Sequence, residues 1–527
     1  MPISPRPARH DRRTAHRWIG AVAFGAASIL VLAGCGGSSD SGDADGSDGP
    51  QTLTFGLSAE PATPITGMQQ GGAVNQLLTM VHRGLMTYDE AGAVVPGIAE
   101  SVDTTDPTSY VFTIRPDLTF HDDTPLTAEN VKNSLDYYRD PANGSQLAAG
   151  LKDVTEITVA DDTVTITLAQ PNTAFLQYLA LPFAAIVPDT SLNADTPNWV
   201  GAGPFEMTDL QEGIGLTVEK DEDFYDADDV ALDSIEVKFY PDGEARTNAL
   251  LSGDVDMIEY VPWENFQRVA DAGLTVDAQQ GPFQYVQFNV TEGPFADPKV
   301  RQAVAYALNR ENAVLAAFQS NGAPLDGIVI PEDDPAYDPS AAELWSYDPK
   351  KAKELLAEAG YPDGFAATLL STSQYTFLQD NALSVQEDLR AIGIDVTLDA
   401  PDWSTRVSKG NAGEYDLAVS GDAGVITDPS YLLNWVVDSR NFNVGWGYSN
   451  DTLRGLIEDG LRAADDDAAK KEIYQEIADI WAEDVPFASI NTREQAYAYN
   501  DKVSGFQTLP GFLVFYSSLN LAHASVK

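Results

Sequence analysis

Val94 to Leu135 reads VVPGIAESVDTTDPTSYVFTIRPDLTFHDDTPLTAENVKNSL, and its local pattern sets the architecture of the chain. From Tyr110 to Arg115 the side chains alternate, with Tyr110, Phe112 and Ile114 on one face and Val111, Thr113 and Arg115 on the other. That is the period of a half-buried strand. Pro116 and Asp117 supply a turn, Thr119 to His121 is read as a second strand running back alongside, and Asp122, Asp123 and Pro125 break the pairing again. Thr127 then stands as the N-cap of a helix whose Val131, Leu135 and Tyr138 fall at i, i+4 and i+7 on one face.

Gly84, Leu85, Asp89, Gly92, Pro96, Ala99, Glu100 and Ser101 precede this unit, and Phe120, Ala128 and Ser134 fall inside it. In that order these residues resemble the N-terminal hallmark of the family 5 solute-binding proteins of ABC importers, the dipeptide, oligopeptide and nickel binders. Asp123 departs from the pattern, which usually has Gly there; Asp tolerates the left-handed backbone better than most residues. The resemblance implies a fold and leaves the ligand open, because nearly every residue in it has a turn or packing role.

The N-terminus reads as an address. Arg6, Arg9, Arg12, Arg13 and Arg17 precede an apolar run from Ile19 to Ala33, which ends in Leu32-Ala33-Gly34-Cys35. The tetrapeptide resembles a lipobox, in which the Cys is lipidated and becomes the new N-terminus; an uncleaved anchor helix is the competing reading. Cys35 is the only cysteine, so disulfides, thiolate metal clusters and cysteine nucleophiles are excluded together. Gly36 to Pro50 holds only Gly, Ser, Asp, Ala and a closing Pro, and reads as a flexible tether.

The formal net charge of the 527 residues is −49. Five Arg and one Asp leave with the leader, so the charge of the remainder deepens to about −53. Such a surface repels nucleic acid and anionic lipid. There is no G-x-S-x-G, no HExxH and no Cys/His pair to support a hydrolase. His82, His121 and His523 lack paired spacing, so neither a metal site nor any other cofactor is expected. Gly201 and Gly203 suggest a phosphate cradle only superficially, since no Lys, Ser or helix start follows in P-loop order; a tight turn is expected.

Further blocks match the family in order. Tyr285-Val286-Gln287-Phe288-Asn289 leads to Asp297, a cap with Pro298 at N1, and to a helical face of Val300, Val304 and Leu308. Arg301 is a candidate carboxylate clamp, with a structural ion pair as the alternative. Asp348 caps the next helix, which stops at Gly360. Ala366 to Leu370, the stripe Leu378, Ala382, Val385, Leu389 and Ile392, Ile394 to Leu398, Trp403 to Lys409 and Tyr415 to Val419 then alternate strand and helix. A parallel βαβαβ unit is expected, with ligands in the crevice beyond the carboxyl ends of its strands.

In the peptide-binding members the loop after the last of these strands carries an Asp that pairs with the peptide α-ammonium. The resemblance puts Asp422 in that role and matches Asp428-Pro429 to the acidic-Pro pair that comes after it. Trp403, Trp435, Trp446 and Tyr448 flank the loop in sequence and are candidate ligand-facing aromatics, with core packing as the alternative. Arg406 and Arg440 are candidates for holding a ligand carboxylate, with solvent exposure as the alternative.

The resemblance implies an α/β chain of two lobes, a periplasmic-binding-protein type II-like fold with an extra N-terminal subdomain and a hinged cleft. The expected divisions are a leader over 1–34, a tether over 35–50, a first-lobe core from 51–85, 200–285 and 490–527, an extra subdomain of that lobe over 86–199, and a second lobe over 286–489. It implies a monomer, not an enzyme, that is anchored through Cys35 at the outer face of the cytoplasmic membrane. There it captures a small peptide for an ABC permease and its ATPases; an oligosaccharide or nickel chelate as ligand, or a sensor or scaffold role, are the alternatives.

Overall fold

The computed structural model describes residues 50–192, 198–332, 334–422, 424, 426–436, 446–463 and 466–527. The leader, Cys35, nearly all of the tether and Arg440 lie outside the described residues.

Within the opening stretch, Ser109–Ile114 is a strand with Tyr110, Phe112 and Ile114 buried, as the alternation requires. Its partners are Thr163–Leu168 on one side and Ala99–Asp106 on the other, and Val154–Ala160 completes a four-stranded antiparallel sheet. Thr119 to His121 is not a strand: Thr119 makes only an isolated bridge to Pro125. The true partner, AESVDTTD, carries no apolar alternation because it is a solvent-facing edge, exposed at every residue except Ala99 and Val102. Asp117 and Asp123 take φ of 56° and 61°, the left-handed values that the two tight turns demand. The helix spans Ala128–Arg139, and the Asn130 side-chain oxygen accepts from the Thr127 backbone N–H at 2.9 Å.

A second sheet of eleven strands runs through the rest of the chain. In its first half, Thr52–Leu57 lies parallel between Ser234–Phe239 and Met257–Ile258, and the hairpin Phe205–Gln211 and Gly215–Lys220 extends the edge. In its second half, Phe365–Leu370 lies parallel between Ile394–Asp399 and Leu417–Asp422. Helices Thr376–Ala391 and Trp403–Ala412 make the crossovers, and Leu378, Ala382, Val385, Leu389 and Ile392 are all buried. The expected βαβαβ unit is present.

Two long antiparallel strands, Thr275–Phe288 and Phe487–Tyr499, join the halves. Their ladder loses register between Gln280 and Phe283, where Gly281-Pro282 intervenes, and again between Gln284 and Tyr285. Pro cannot donate to a ladder, so the pairing breaks where the strands pass between halves. Gly201 and Gly203 serve close packing: a Cβ at Gly201 would lie 2.1 Å from the Val81 carbonyl oxygen.

Arg301 is buried and donates to the backbone carbonyls of Phe295, Ala296, Asp484 and Val485, so it is neither a clamp nor a side-chain ion pair. Arg310 is likewise held by the carbonyls of Ser489, Trp345 and Ala305 and by Asp326 at 3.1 Å. Nearby Asp388 accepts the Asn309 backbone N–H at 2.8 Å, while burial pushes its carboxyl up to about 6. Its folded value is raised, so the proton-linked stability is complete at pH below about 4 and is lost as pH rises through about 6. Asp388→Asn keeps the acceptor and removes the charge. It should stabilise the protein by about 1–2 kcal/mol at pH 7 and by almost nothing at pH 4, allowing for partial exposure. Denaturant unfolding at the two pH values measures this directly.

Candidate functional site

The strands Phe365–Leu370, Ile394–Asp399 and Leu417–Asp422 end at one edge, and the helices that follow the first two begin there. Asp402 caps the second of these helices, accepting from Thr405 N at 3.1 Å. At that edge Tyr375 and Trp403 meet edge to face with ring centroids 5.1 Å apart. Arg406 lies one turn into the helix, 1 % exposed, with its guanidinium 5.1 Å from the Trp403 ring. Its Nη2 donates to the Val419 carbonyl and to Ser420 Oγ, each at 2.8 Å, and its Nε has no partner. Arg406 therefore does not face solvent; burial holds its pKa below the usual guanidinium value.

Across the long strands, Gln284 stands opposite Asn491, and Arg493 follows on the face that Asn491 occupies. Asn491 Nδ2 donates to Asn381 Oδ1 at 2.8 Å, which places that face against helix Thr376–Ala391. The Asn491 Oδ1, Gln284 Oε1 and Arg493 Nε atoms are all buried and unpartnered. Arg493 donates to the Tyr260 hydroxyl at 3.0 Å, and its guanidinium sits 4.6 Å from the Phe377 ring, 5.7 Å from Trp263 and 5.9 Å from Tyr260. Tyr260 and Trp263 follow strand Met257–Ile258 of the first half, whereas Phe377 opens a helix of the second.

The opposite face is apolar. Trp435 is buried against Phe283, Tyr285, Tyr431 and Phe487, with centroids 5.3 to 5.9 Å away. Phe512, from the C-terminal segment Gly511–His523, closes on Phe283 and Tyr431. It packs so closely on Gly424, whose φ is +66°, that a Cβ there would lie 2.3 Å from the ring.

The sequence-derived candidates therefore separate. Trp403 and Arg406 lie together at the strand ends, and Trp435 is in the aromatic core beneath the crossing. Trp446 and Tyr448 pack on each other elsewhere, where the Tyr448 hydroxyl donates to Asp484 Oδ2 at 2.8 Å and its ring lies 5.9 Å from Arg301. Asp422 closes its strand opposite Phe283, and its side chain lies outside the described residues. Asp428 is buried in structural contacts: it receives Thr173 Oγ1, Ser430 N and Lys470 Nζ. Gln284, Asn491 and Arg493 give no signal in the sequence, since a polar residue in a strand declares nothing until its face is known to be buried. Among the described residues, no group of three His, Cys, Asp or Glu is placed to hold a metal ion.

The sequence model of the bacterial extracellular solute-binding proteins, family 5 Middle, matches residues 93–444. The chain belongs to this family. As a family 5 solute-binding protein it is similar to the glutathione-binding protein GsiB of Salmonella typhi, 30% identical over 447 residues that span 81% of this chain and 86% of GsiB. It is also similar to the binding protein AgaA from A. tumefaciens R10, solved in complex with agropinic acid. The two are 38% identical, with a TM-score of 0.79 over 90% of this chain and 99% of AgaA. DppA from Helicobacter pylori, solved with the peptide STSA, shares the fold at 22% identity and a TM-score of 0.75, over 90% of this chain and 98% of DppA. These relatives are binding proteins and not enzymes, and the fold is the periplasmic-binding-protein type II-like one.

Proposed function

We propose that this family 5 solute-binding protein captures a small peptide or a peptide-like amino-acid derivative between the two halves of its long sheet and presents it to an ABC import permease. The observation that carries this reading is the set of buried polar groups at the strand crossing, where an acceptor oxygen of Gln284, one of Asn491 and the Nε of Arg493 lack partners. Peptide-like ligands carry the complementary N–H, C=O and carboxylate groups. GsiB is named for a peptide and AgaA was solved with an acid, which supports the same class here. The irregular ladder at Gly281-Pro282 suits a hinge, so that ligand touching both halves favours the closed state. The expected division is 51–85, 200–285 and 490–527 with the subdomain 86–199 on one side, and 286–489 on the other. Asp422, at the end of its strand, is the proposed partner of a ligand amine, and Trp403 and Arg406, on the helix that begins at the same edge of the sheet, are the further proposed ligand contacts.

The test is thermal unfolding of the full chain in detergent with di- to pentapeptides, their N-acetylated forms, glutathione, oligosaccharides and nickel chelates. A ligand at 100 times its Kd adds about 2.7 kcal/mol of stability. A shift with free peptides supports the reading, and its loss on N-acetylation supports the Asp422 role. Shifts confined to sugars or chelates sink the peptide class. Anchoring through Cys35 is part of the proposal: Cys35→Ser should move the protein from the membrane fraction to the soluble one.

A further inference from the structure

We infer that Arg493 is the seat of a ligand carboxylate, so that the solute must be an acid with at least one amide-like group beside its carboxylate. The inference rests on the capture reading above and deepens it.

Three of the five other buried arginines, Arg246, Arg301 and Arg310, show what a fully satisfied structural guanidinium looks like in this chain. Arg246 donates to three carbonyls, of Tyr240, Glu259 and Tyr260; Arg301 donates to four, and Arg310 has carbonyls and Asp326. Arg493 is 7 % exposed and has five N–H donors, yet among the described residues it makes one hydrogen bond, to the Tyr260 hydroxyl, and has no carboxylate at ion-pair distance. A buried guanidinium left this way is costly unless an anion arrives. The planar fork matches a carboxylate.

The surroundings select the group next to that carboxylate. Rings of Tyr260, Trp263 and Phe377 wall the guanidinium, and of the three only the Tyr260 hydroxyl takes one of its in-plane donors. On the same strand face, Asn491 offers an unpartnered oxygen, and Gln284 opposite it is 1 % exposed with no hydrogen bond on its side chain among the described residues. Both orphaned atoms are acceptors, so an amide N–H beside the carboxylate supplies the donor that one of them lacks. Because Tyr260 and Trp263 come from one half of the sheet, Phe377 from the other and Arg493 from the strand that joins them, an acid seated here contacts both halves at once.

The experiment is calorimetric titration of the full chain, wild type, Arg493→Met and Arg493→Lys, with free di- and tripeptides and glutathione, and with their C-terminal amides or esters. Thermal unfolding of the ligand-free proteins accompanies it. Free acids should bind the wild type, lose at least about 30-fold in affinity on amidation, and lose as much in Arg493→Met. In Arg493→Met the acid and its amide should bind alike, and the Lys variant should recover part of the difference. Without ligand, Arg493→Met should unfold about 1–3 °C higher than wild type, because an unpaired buried charge is gone. Acids that bind equally well as amides, or equally well to Arg493→Met, overturn the inference and leave solute capture standing. A ligand-free Arg493→Met that melts below wild type assigns Arg493 to structure and also overturns it. No binding by any probe overturns the capture reading itself.

Discussion

Lys470→Met is expected to lower the unfolding free energy by about 3–5 kcal/mol, the loss that follows when one partner of a buried charge cluster is removed. The Lys470 ammonium lies 3.1 Å from Asp334 Oδ2 and 3.3 Å from Asp428 Oδ2, and all three groups are largely withdrawn from water. Burial already holds the Asp334 carboxyl above the ordinary range. Removing the cation leaves two carboxylates facing each other in an apolar setting. Asp428 also receives Thr173 Oγ1 at 3.0 Å, and Gln177 Oε1 receives the backbone N–H groups of Thr427 and Asp428, so this cluster ties the segment around Thr173 to the loop beyond strand Leu417–Asp422. Guanidinium unfolding followed by tryptophan fluorescence measures the loss. The double variant Lys470→Met, Asp428→Asn should recover about half of it; a single-variant loss below about 1 kcal/mol would contradict the assignment.

Phe283→Ala is expected to cost about 3–5 kcal/mol and to weaken ligand binding as well. The ring is fully buried at the register break of the long strands, with centroids of Tyr285, Tyr431, Trp435, Phe487 and Phe512 between 5.6 and 6.2 Å away. These rings come from the long strands, the short helical segment Pro429–Trp435 and the C-terminal segment, so the cavity cannot close by the movement of any one neighbour. Unfolding and titration on one variant separate the two effects: a residue that only packed would lose stability with ligand affinity unchanged, whereas a residue that sets the crossing geometry loses both.

The fold is legible wherever a local rule acts alone. The alternation of Tyr110, Phe112 and Ile114, the caps Asp297 and Asp348, and the stripe from Leu378 to Ile392 each report a backbone state through nearby residues, and each forms as expected. Thr119 to His121 misleads because three alternating residues fit a tight turn as well as a strand, and Ala99–Asp106 escapes notice because an exposed edge needs no apolar face. The site is less legible for a related reason. Trp403 and Arg406 share one helix, so their neighbourhood can be inferred; Gln284 and Asn491 are far apart in the chain and meet only through the pairing of two long strands. Which polar side chains are denied both water and partners is a property of that pairing, which no window of sequence contains.

The C-terminal segment Gly511–His523 lies on helix Gly72–Val81, where Gln76 Nε2 donates to the Phe515 carbonyl at 3.1 Å and Ser518 Oγ meets Gln76 Oε1. These contacts close a loop of more than 400 residues. Such closure is entropically dear and slow, and nothing local replaces it. During synthesis the face of the helix that meets this segment stays uncovered until the last few dozen residues are made. Truncation at the C-terminus should therefore leave a protease-sensitive first half and not merely a shorter protein.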